Sequence, residues 1–291
     1  MKRGKRLSLP AAASSAMAAS GGPRRRKRGK HPVTPTMPRG LHSHLEKGSL
    51  GKAGKAVAWA ALMLGFFFVL RASEYLVQPD KAWSWDRVVH GDDVAPKEDG
   101  VEKATFVGAD EIVVHLKGSK TDQYNVGCTR NHYRTHALLD PVGALEDLEK
   151  HFPQRLRGSE SRSPLLRWQD SSVVKRSQVH DLLVLAAVAA GMEASEVGSH
   201  SLRIGGATAM YHVVGDLQQV RRFGRWASDA FHVYLWESHE PMKPIAAKMA
   251  RDNTELVKPK EASKRARAEL TRREADAQSF GRKRGAPSGG R

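Results

Sequence analysis

The residues that could form one reactive site are concentrated in 198–236, GSHSLRIGGATAMYHVVGDLQQVRRFGRWASDAFHVYLW. His200 and Arg203 are three residues apart and therefore share one face of a helical turn. Together they could hold one phosphate, the arginine as a planar fork and the histidine as a hydrogen-bond donor or proton carrier. Tyr234 follows Arg203 by 31 residues and could attack that phosphate through its hydroxyl group. The segment thus indicates a phosphate site with a tyrosine nucleophile.

The elements that must position these side chains are helices. Gly205 and Gly206 would allow another element to approach the first of them closely. Asp216 is suited to cap the second. The predicted helices of this segment are His200–His212, Asp216–Phe223 and Ser228–Trp236, the last carrying Tyr234.

A long apolar helix is predicted over residues 53–78, with an apolar stripe at helical spacing. Arg71 follows its fifteen-residue apolar run, and Glu74 lies one turn later. A charge in such a place is unfavourable unless it is paired. Arg71 either marks the helix surface or pairs with Glu74, or it holds a phosphate while Glu74 orients it.

A small sheet is predicted in the middle of the chain. Lys103–Val107 and Glu111–Leu116 are rich in β-formers and are separated by a turn, which indicates a hairpin. Tyr124–Tyr133 is a third candidate strand. Helices are predicted at Leu138–Phe152 and Val173–Met192. The expected fold class is α+β, mainly helical, with a three-stranded antiparallel sheet.

Charge is distributed unevenly along the 291 residues. Residues 1–45 hold 11 basic and no acidic side chains, residues 251–291 hold 12 and 6, and residues 46–250 hold 25 of each. We therefore expect a basic low-complexity tail at 1–40, one domain at 41–250 and a charged tail at 251–291. The formal net charge of +17 indicates a polyanionic partner.

The N-terminal basic run has the composition of a nuclear-import signal or a nucleic-acid contact, although an organelle transit peptide is the alternative. Its DNA-binding candidates are Arg24, Arg25, Arg26, Lys27 and Arg28. The single cysteine, Cys128, excludes an intrachain disulfide. The apolar run at 56–70 is too short to span a membrane. No metal site is expected, because no Cys or acidic group near His132 and His136 completes one.

These candidates lie in four sequence motifs, LRASEYL, GSKTD, HSLR and GRWASDAFHVYL. The motifs and their order resemble the catalytic domain of tyrosine recombinases, the phage-integrase family. The motif sequences are most similar to those of enzymes from eukaryotic DIRS-type mobile elements. The resemblance covers about 50–240. It implies a catalytic set, which is Arg71, Lys120, His200, Arg203, Trp226 and Tyr234.

The resemblance also implies roles. Arg71 and Arg203 would neutralise the phosphate, and Lys120, with Lys117 as second choice, would protonate the leaving 5′-oxygen. It implies site-specific cleavage and rejoining of double-stranded DNA through a 3′-phosphotyrosyl link, self-association on DNA, and no cofactor. Two departures are visible: Trp226 precedes Tyr234 by eight residues, one fewer than usual, and no helical clamp domain precedes residue 40. A DNA-binding remnant without catalysis and a type IB topoisomerase-like enzyme therefore stay open as alternatives.

Overall fold

The structure is a computed structural model that describes residues 30–48, 50–81, 84–118, 127–228, 231–232 and 235. The chain divides into two compact units, Met1–Glu237 and Ser238–Arg291, and every described residue belongs to the first. Among these residues, no helix combines the length and apolar character that crossing a membrane would require.

The described part of the chain is mainly helical. Its helices are α1 (Thr36–Lys47), α2 (Lys52–Phe67), α3 (Ala72–Tyr75), α4 (Ser84–Arg87), α5 (Pro141–His151), α6 (Pro153–Leu156), α7 (Arg176–Ala189), a 3₁₀ turn (Ala194–Glu196), α8 (Ser201–Val214) and α9 (Leu217–Gly224). The predictions at 138–152, 173–192, 200–212 and 216–223 are confirmed to within a few residues. Asp216 caps α9 as predicted, accepting a hydrogen bond from the backbone N–H of Gln218 at 2.7 Å.

The central element is α2, whose side chains are buried around most of its circumference. This confirms the predicted buried helix, but the prediction that it continues to residue 78 is wrong. The helix ends at Phe67, and Leu70 N–H donates to Gly65 O at 3.2 Å while Val69 adopts a left-handed φ of 52°. That arrangement closes the helix end with a Schellman-type turn. A new helix, α3, then begins directly after Arg71.

The sheet has four strands, not the predicted three. They are β1 (Val94–Glu98), β2 (Val101–Glu102), β3 (Glu111–Leu116) and β4 (Cys128–Tyr133), in the antiparallel order β2-β1-β3-β4. The predicted strand at Lys103–Val107 does not form. Its polar groups bind α5 instead: Thr105 Oγ1 and Phe106 N–H donate to Glu149 Oε2 at 2.5 and 2.8 Å. The part of the third predicted strand that the structure describes is confirmed as β4.

The folded part begins before the predicted boundary at residue 41. Val33, Met37, Leu41 and Leu45 recur every four residues and are each at most 5% exposed. This spacing gives α1 and the segment before it one continuous apolar face towards the core.

Candidate active site

Two glycines let the start of α8 pack closely, Gly205 against the segment before α1 and Gly206 against the end of α2. A Cβ atom on Gly205 would lie 2.0 Å from Val33 O, and one on Gly206 would lie 2.0 Å from Phe66 O. Any side chain at either position would overlap a backbone carbonyl. The predicted close approach at these glycines is confirmed, and it brings the His200–Arg203 turn next to the end of α2.

Arg71 and Glu74 form the pair that the sequence predicted. Glu74 Oε1 accepts from Arg71 Nη1 at 2.8 Å, and Oε2 accepts from the Arg71 backbone N–H at 2.7 Å. Glu74 is 5% exposed, whereas 24% of the Arg71 side chain remains exposed. The carboxylate therefore fixes the guanidinium while leaving part of it accessible.

Arg225 joins this pair, which sequence reasoning missed. Its Nη2 donates to Glu74 Oε2 at 2.6 Å, and its carbonyl accepts from Arg71 Nη2 at 3.3 Å. Glu74 is thus shared by two guanidinium groups. The available signal was only its position, an arginine set between Gly224 and Trp226.

Arg203 lies beneath the same loop and is 1% exposed. Its Nη1 donates to Val69 O and its Nη2 donates to Gly224 O, the second at 2.6 Å. Its guanidinium carbon lies 4.1 Å from the ring centre of Trp226, a cation–π contact. Arg203 therefore ties the turn after α2 to the segment after α9, and the structure brings Trp226 to it.

His200 stands at the start of α8, close to several positive charges. Burial is the main cause that lowers its pKa, and the guanidinium groups of Arg203, Arg176 and Arg71 act in the same direction; together they bring the pKa to about 4. The imidazole is consequently neutral at pH 7, and in that form it can donate one hydrogen bond and accept another. Arg176, which the sequence did not single out, is oriented by a 2.6 Å hydrogen bond from its Nε to Ser199 Oγ.

No protein-family model matches the sequence, and no curated protein is similar to it. The XerH site-specific recombinase bound to palindromic difH substrate, in its post-cleavage complex, is similar in structure with a TM-score of 0.51. It is 16% identical in sequence, and the match covers 76% of this chain and 54% of the XerH chain. The chain has the fold of a tyrosine-recombinase catalytic domain.

Two further solved structures are similar at lower scores. XerA recombinase matches with a TM-score of 0.48 and 12% identity, over 80% of this chain and 67% of its own. A lambda integrase (75-356) dimer bound to a COC′ core site matches with 0.46 and 15%, over 76% and 66%. This chain spans about half the length of the XerH chain, 54%.

Some of the predicted catalytic and DNA-binding residues lie outside the part of the chain that the structure describes. They are Lys120, Tyr234 and the basic residues Arg24, Arg25, Arg26, Lys27 and Arg28. Their roles stay predictions.

Lys117, the second choice for the general acid, forms a 2.7 Å ion pair with Asp93 Oδ2. Its ammonium group thereby supplies positive charge to a cluster of possible metal ligands, His90, Asp92 and Asp93, whose ligand atoms lie within 4.8 Å of one another. His90 is engaged as well, since its backbone N–H bonds Asp93 and its Nε2 lies 2.8 Å from Trp85 O. Asp93 and His90 thus already have partners within the protein.

His132 is part of the packing on the sheet side of the site. Its Nε2 hydrogen bonds with Phe67 O at 2.7 Å, and its ring makes edge contacts with Phe67, Phe68 and Phe223. Burial lowers the pKa of His132, which keeps it neutral. The residue therefore helps to hold the end of α2 and α9 together.

The assembled site is strongly positive. Its members among the described residues are the guanidinium groups of Arg71, Arg176, Arg203 and Arg225, the neutral His200, and the carboxylate of Glu74. Arginine forks match the paired oxygens of a phosphate or a carboxylate. The arrangement can bind a phosphate group and stabilise additional negative charge on it.

Proposed function

We propose that this chain cleaves and rejoins DNA strands through a 3′-phosphotyrosyl intermediate, as a site-specific recombinase or integrase. One observation carries the proposal. The fold brings Arg71, which precedes α3, together with His200 and Arg203 of α8, although about 130 residues separate them in the sequence. Those are the residue types that a phosphodiester-cleaving site requires to neutralise its transition state.

The proposed reaction has two balanced steps. The Tyr234 oxygen bonds to the scissile phosphorus, the bond to the 5′-oxygen breaks, and Lys120 gives that oxygen a proton. Neutral His200 supports this step by accepting a hydrogen bond from the Tyr234 hydroxyl, whose proton passes to solvent. In the second step a 5′-hydroxyl gives its proton to Lys120 and attacks the phosphorus, the bond to the Tyr234 oxygen breaks, and that oxygen takes up a proton from solvent. The energy of the broken bond is retained in the link, so strand joining needs no external energy source.

We further propose that the source is a DIRS-type mobile element, that the chain associates with itself on double-stranded DNA, and that it acts in the nucleus. The sequence around Gly224–Leu235 supports the first point, the DIRS-type source. The DNA-bound XerH and lambda integrase structures, the latter a dimer, support the second. The basic run of residues 24–30 supports the third, with an organelle as the alternative.

The test is covalent capture on a nicked duplex that loses a short fragment once the strand is cleaved, because that loss prevents rejoining. A pool of duplex sequences is used, and products are separated on a denaturing gel. Wild type should give a shifted protein–DNA band, Tyr234→Phe should give none, and Tyr211→Phe, a matched change on α8, should give the wild-type band.

Other outcomes separate the alternatives. DNA binding with no band from any variant would contradict the proposal and identify a binding remnant. Capture accompanied by relaxation of supercoiled plasmid, without strand exchange, would identify a topoisomerase-like enzyme. A band that persists in Tyr234→Phe would assign the nucleophile to another residue.

A further inference from the structure

The backbone of Arg225 is left-handed, a conformation that is uncommon for arginine. It ends α9 with a left-handed φ of 60° and ψ of 46°, a region that few residues other than glycine, asparagine and aspartate adopt. Neighbouring contacts impose it: the Arg225 N–H donates to Arg222 O at 3.2 Å, and Gly224 O is fixed by Arg203. Strain maintained by surrounding structure in this way is concentrated at functional sites.

The conformation directs the Arg225 side chain towards Glu74, but it leaves most of the guanidinium donors unused. Nη2 makes the short bond to Glu74, and Nη1 lies 3.5 Å from Phe223 O, at the limit of a hydrogen bond. The Nε atom is buried and has no hydrogen-bond partner among the described residues. An arginine has five N–H donors in a planar fork, so this one retains capacity for a further oxygen ligand.

Charge balance around Arg225 is incomplete. Within the described residues, Glu74 is the carboxylate that pairs with both Arg71 and Arg225, so one positive charge of the pair is not matched. Arg130 adds another positive charge close to Arg225, and its own bonds are to the carbonyls of Arg222 and Phe223. A buried excess of positive charge is unfavourable until an anion binds.

Accessibility distinguishes the arginines of the site. Arg203 is 1% exposed and already donates to two backbone carbonyls. The side chains of Arg71 and Arg225 are 24% and 11% exposed and share one carboxylate. Of the three, Arg71 and Arg225 are the ones that a phosphate can reach with the least rearrangement.

We propose that Arg225 is a further phosphate-binding residue of the site. Arg225 and Arg71 bind the same phosphate, and Glu74 holds their guanidinium groups in place. The inference rests on the proposed function for the identity of that phosphate, the scissile phosphate of DNA. It extends the predicted set, in which Arg71 and Arg203 alone supply arginine forks.

Binding of inorganic phosphate tests this inference without requiring catalysis. Protein stability is followed by thermal shift during titration with sodium phosphate, with ionic strength held constant by sodium chloride. The variants are Arg225→Gln, Arg225→Lys and the control Arg222→Gln, which removes the same charge from an exposed side chain on α9. Wild type and control should show the same saturable shift.

Arg225→Gln should weaken phosphate binding roughly ten-fold or more, because it removes charge-assisted hydrogen bonds to the anion. Arg225→Lys should weaken it less, since lysine keeps the charge and loses the fork. Arg225→Lys retains the partner of Glu74, so it reports on phosphate even if Arg225→Gln does not fold. If Arg225 were only a structural partner of Glu74, the variants would melt differently without phosphate and bind it as wild type does.

The inference is overturned if Arg225→Lys and any folded Arg225→Gln match wild type in phosphate affinity, or if wild type binds no phosphate saturably. The capture assay decides the proposed function separately. Loss of phosphate binding in the Arg225 variants with no capture by wild type would uphold the anion site and refute strand cleavage. Wild-type capture rates in Arg225→Gln would uphold cleavage and refute the role of Arg225.

Discussion

Glu74→Gln is the perturbation that tests most directly how the candidate site is held together. The Glu74 carboxylate accepts three hydrogen bonds, from the backbone and Nη1 of Arg71 and from Nη2 of Arg225, at 2.6–2.8 Å. A glutamine keeps one acceptor oxygen and replaces the other with an NH₂ group, which faces N–H donors. The substitution therefore breaks at least one bond and leaves two neighbouring guanidinium groups without a counter-charge.

The size of the effect follows from burial. Breaking a buried ion pair costs about 3–5 kcal/mol, and the 24% exposure of the Arg71 side chain reduces this, so we expect a loss of about 2–4 kcal/mol in the free energy of unfolding. Urea unfolding at pH 7 measures it. Because a bound anion would restore the missing charge, phosphate should stabilise Glu74→Gln more than wild type.

The matched control for Glu74→Gln is Glu46→Gln. Glu46 makes a 3.3 Å ion pair with Lys55, and 58% of the Glu46 side chain is exposed. Exposed pairs contribute about 0–1 kcal/mol. If Glu74→Gln destabilised the protein no more than Glu46→Gln does, the carboxylate would not organise the site and the reasoning above would be refuted.

Three further substitutions give independent checks, each by urea unfolding. Gly205→Ala should destabilise by about 2 kcal/mol or more, because its Cβ would lie 2.0 Å from Val33 O, a backbone atom. Tyr75→Phe should leave stability within about 0.5 kcal/mol or raise it, because the buried Tyr75 hydroxyl has no hydrogen-bond partner among the described residues. Between pH 7 and 4.5 wild type should lose about 1–2 kcal/mol more than His200→Asn, allowing for partial exposure of His200. The sign follows from its pKa, about 4 when folded against 6.5 ordinarily, since the unfolded state binds the proton first as pH falls.

Much of the helical framework was predictable because its signals are local. Apolar residues at helical spacing identified α2 and α7, Asp140-Pro141 marked the start of α5, and Asp216 marked the start of α9. Arg71 and Glu74 were predicted to pair because they lie three residues apart, within one turn. The four-residue spacing from Val33 to Leu45 was equally local, and attention to it would have moved the boundary of the folded part.

What the sequence did not reveal depends on distant partners. Val69 is β-branched, so nothing in its type favours the left-handed conformation that ends α2. Lys103–Val107 has strand-like composition, but Glu149, more than forty residues later, takes up its hydrogen bonds. Arg225 meets Glu74 across 151 residues. Such contacts follow from the assembled core and leave no periodic pattern in the chain.

We expect separate parts of this chain to supply affinity for DNA in general and affinity for one phosphate. Residues 46–250 carry 25 basic and 25 acidic side chains, so the excess charge lies in the terminal segments. Contacts from such segments neutralise phosphates without regard to sequence and weaken steeply with salt. The arginines around Glu74 are partly or fully buried, and salt screens charges in that environment much less. Raising the salt concentration should therefore weaken binding of DNA more than binding of inorganic phosphate at the candidate site.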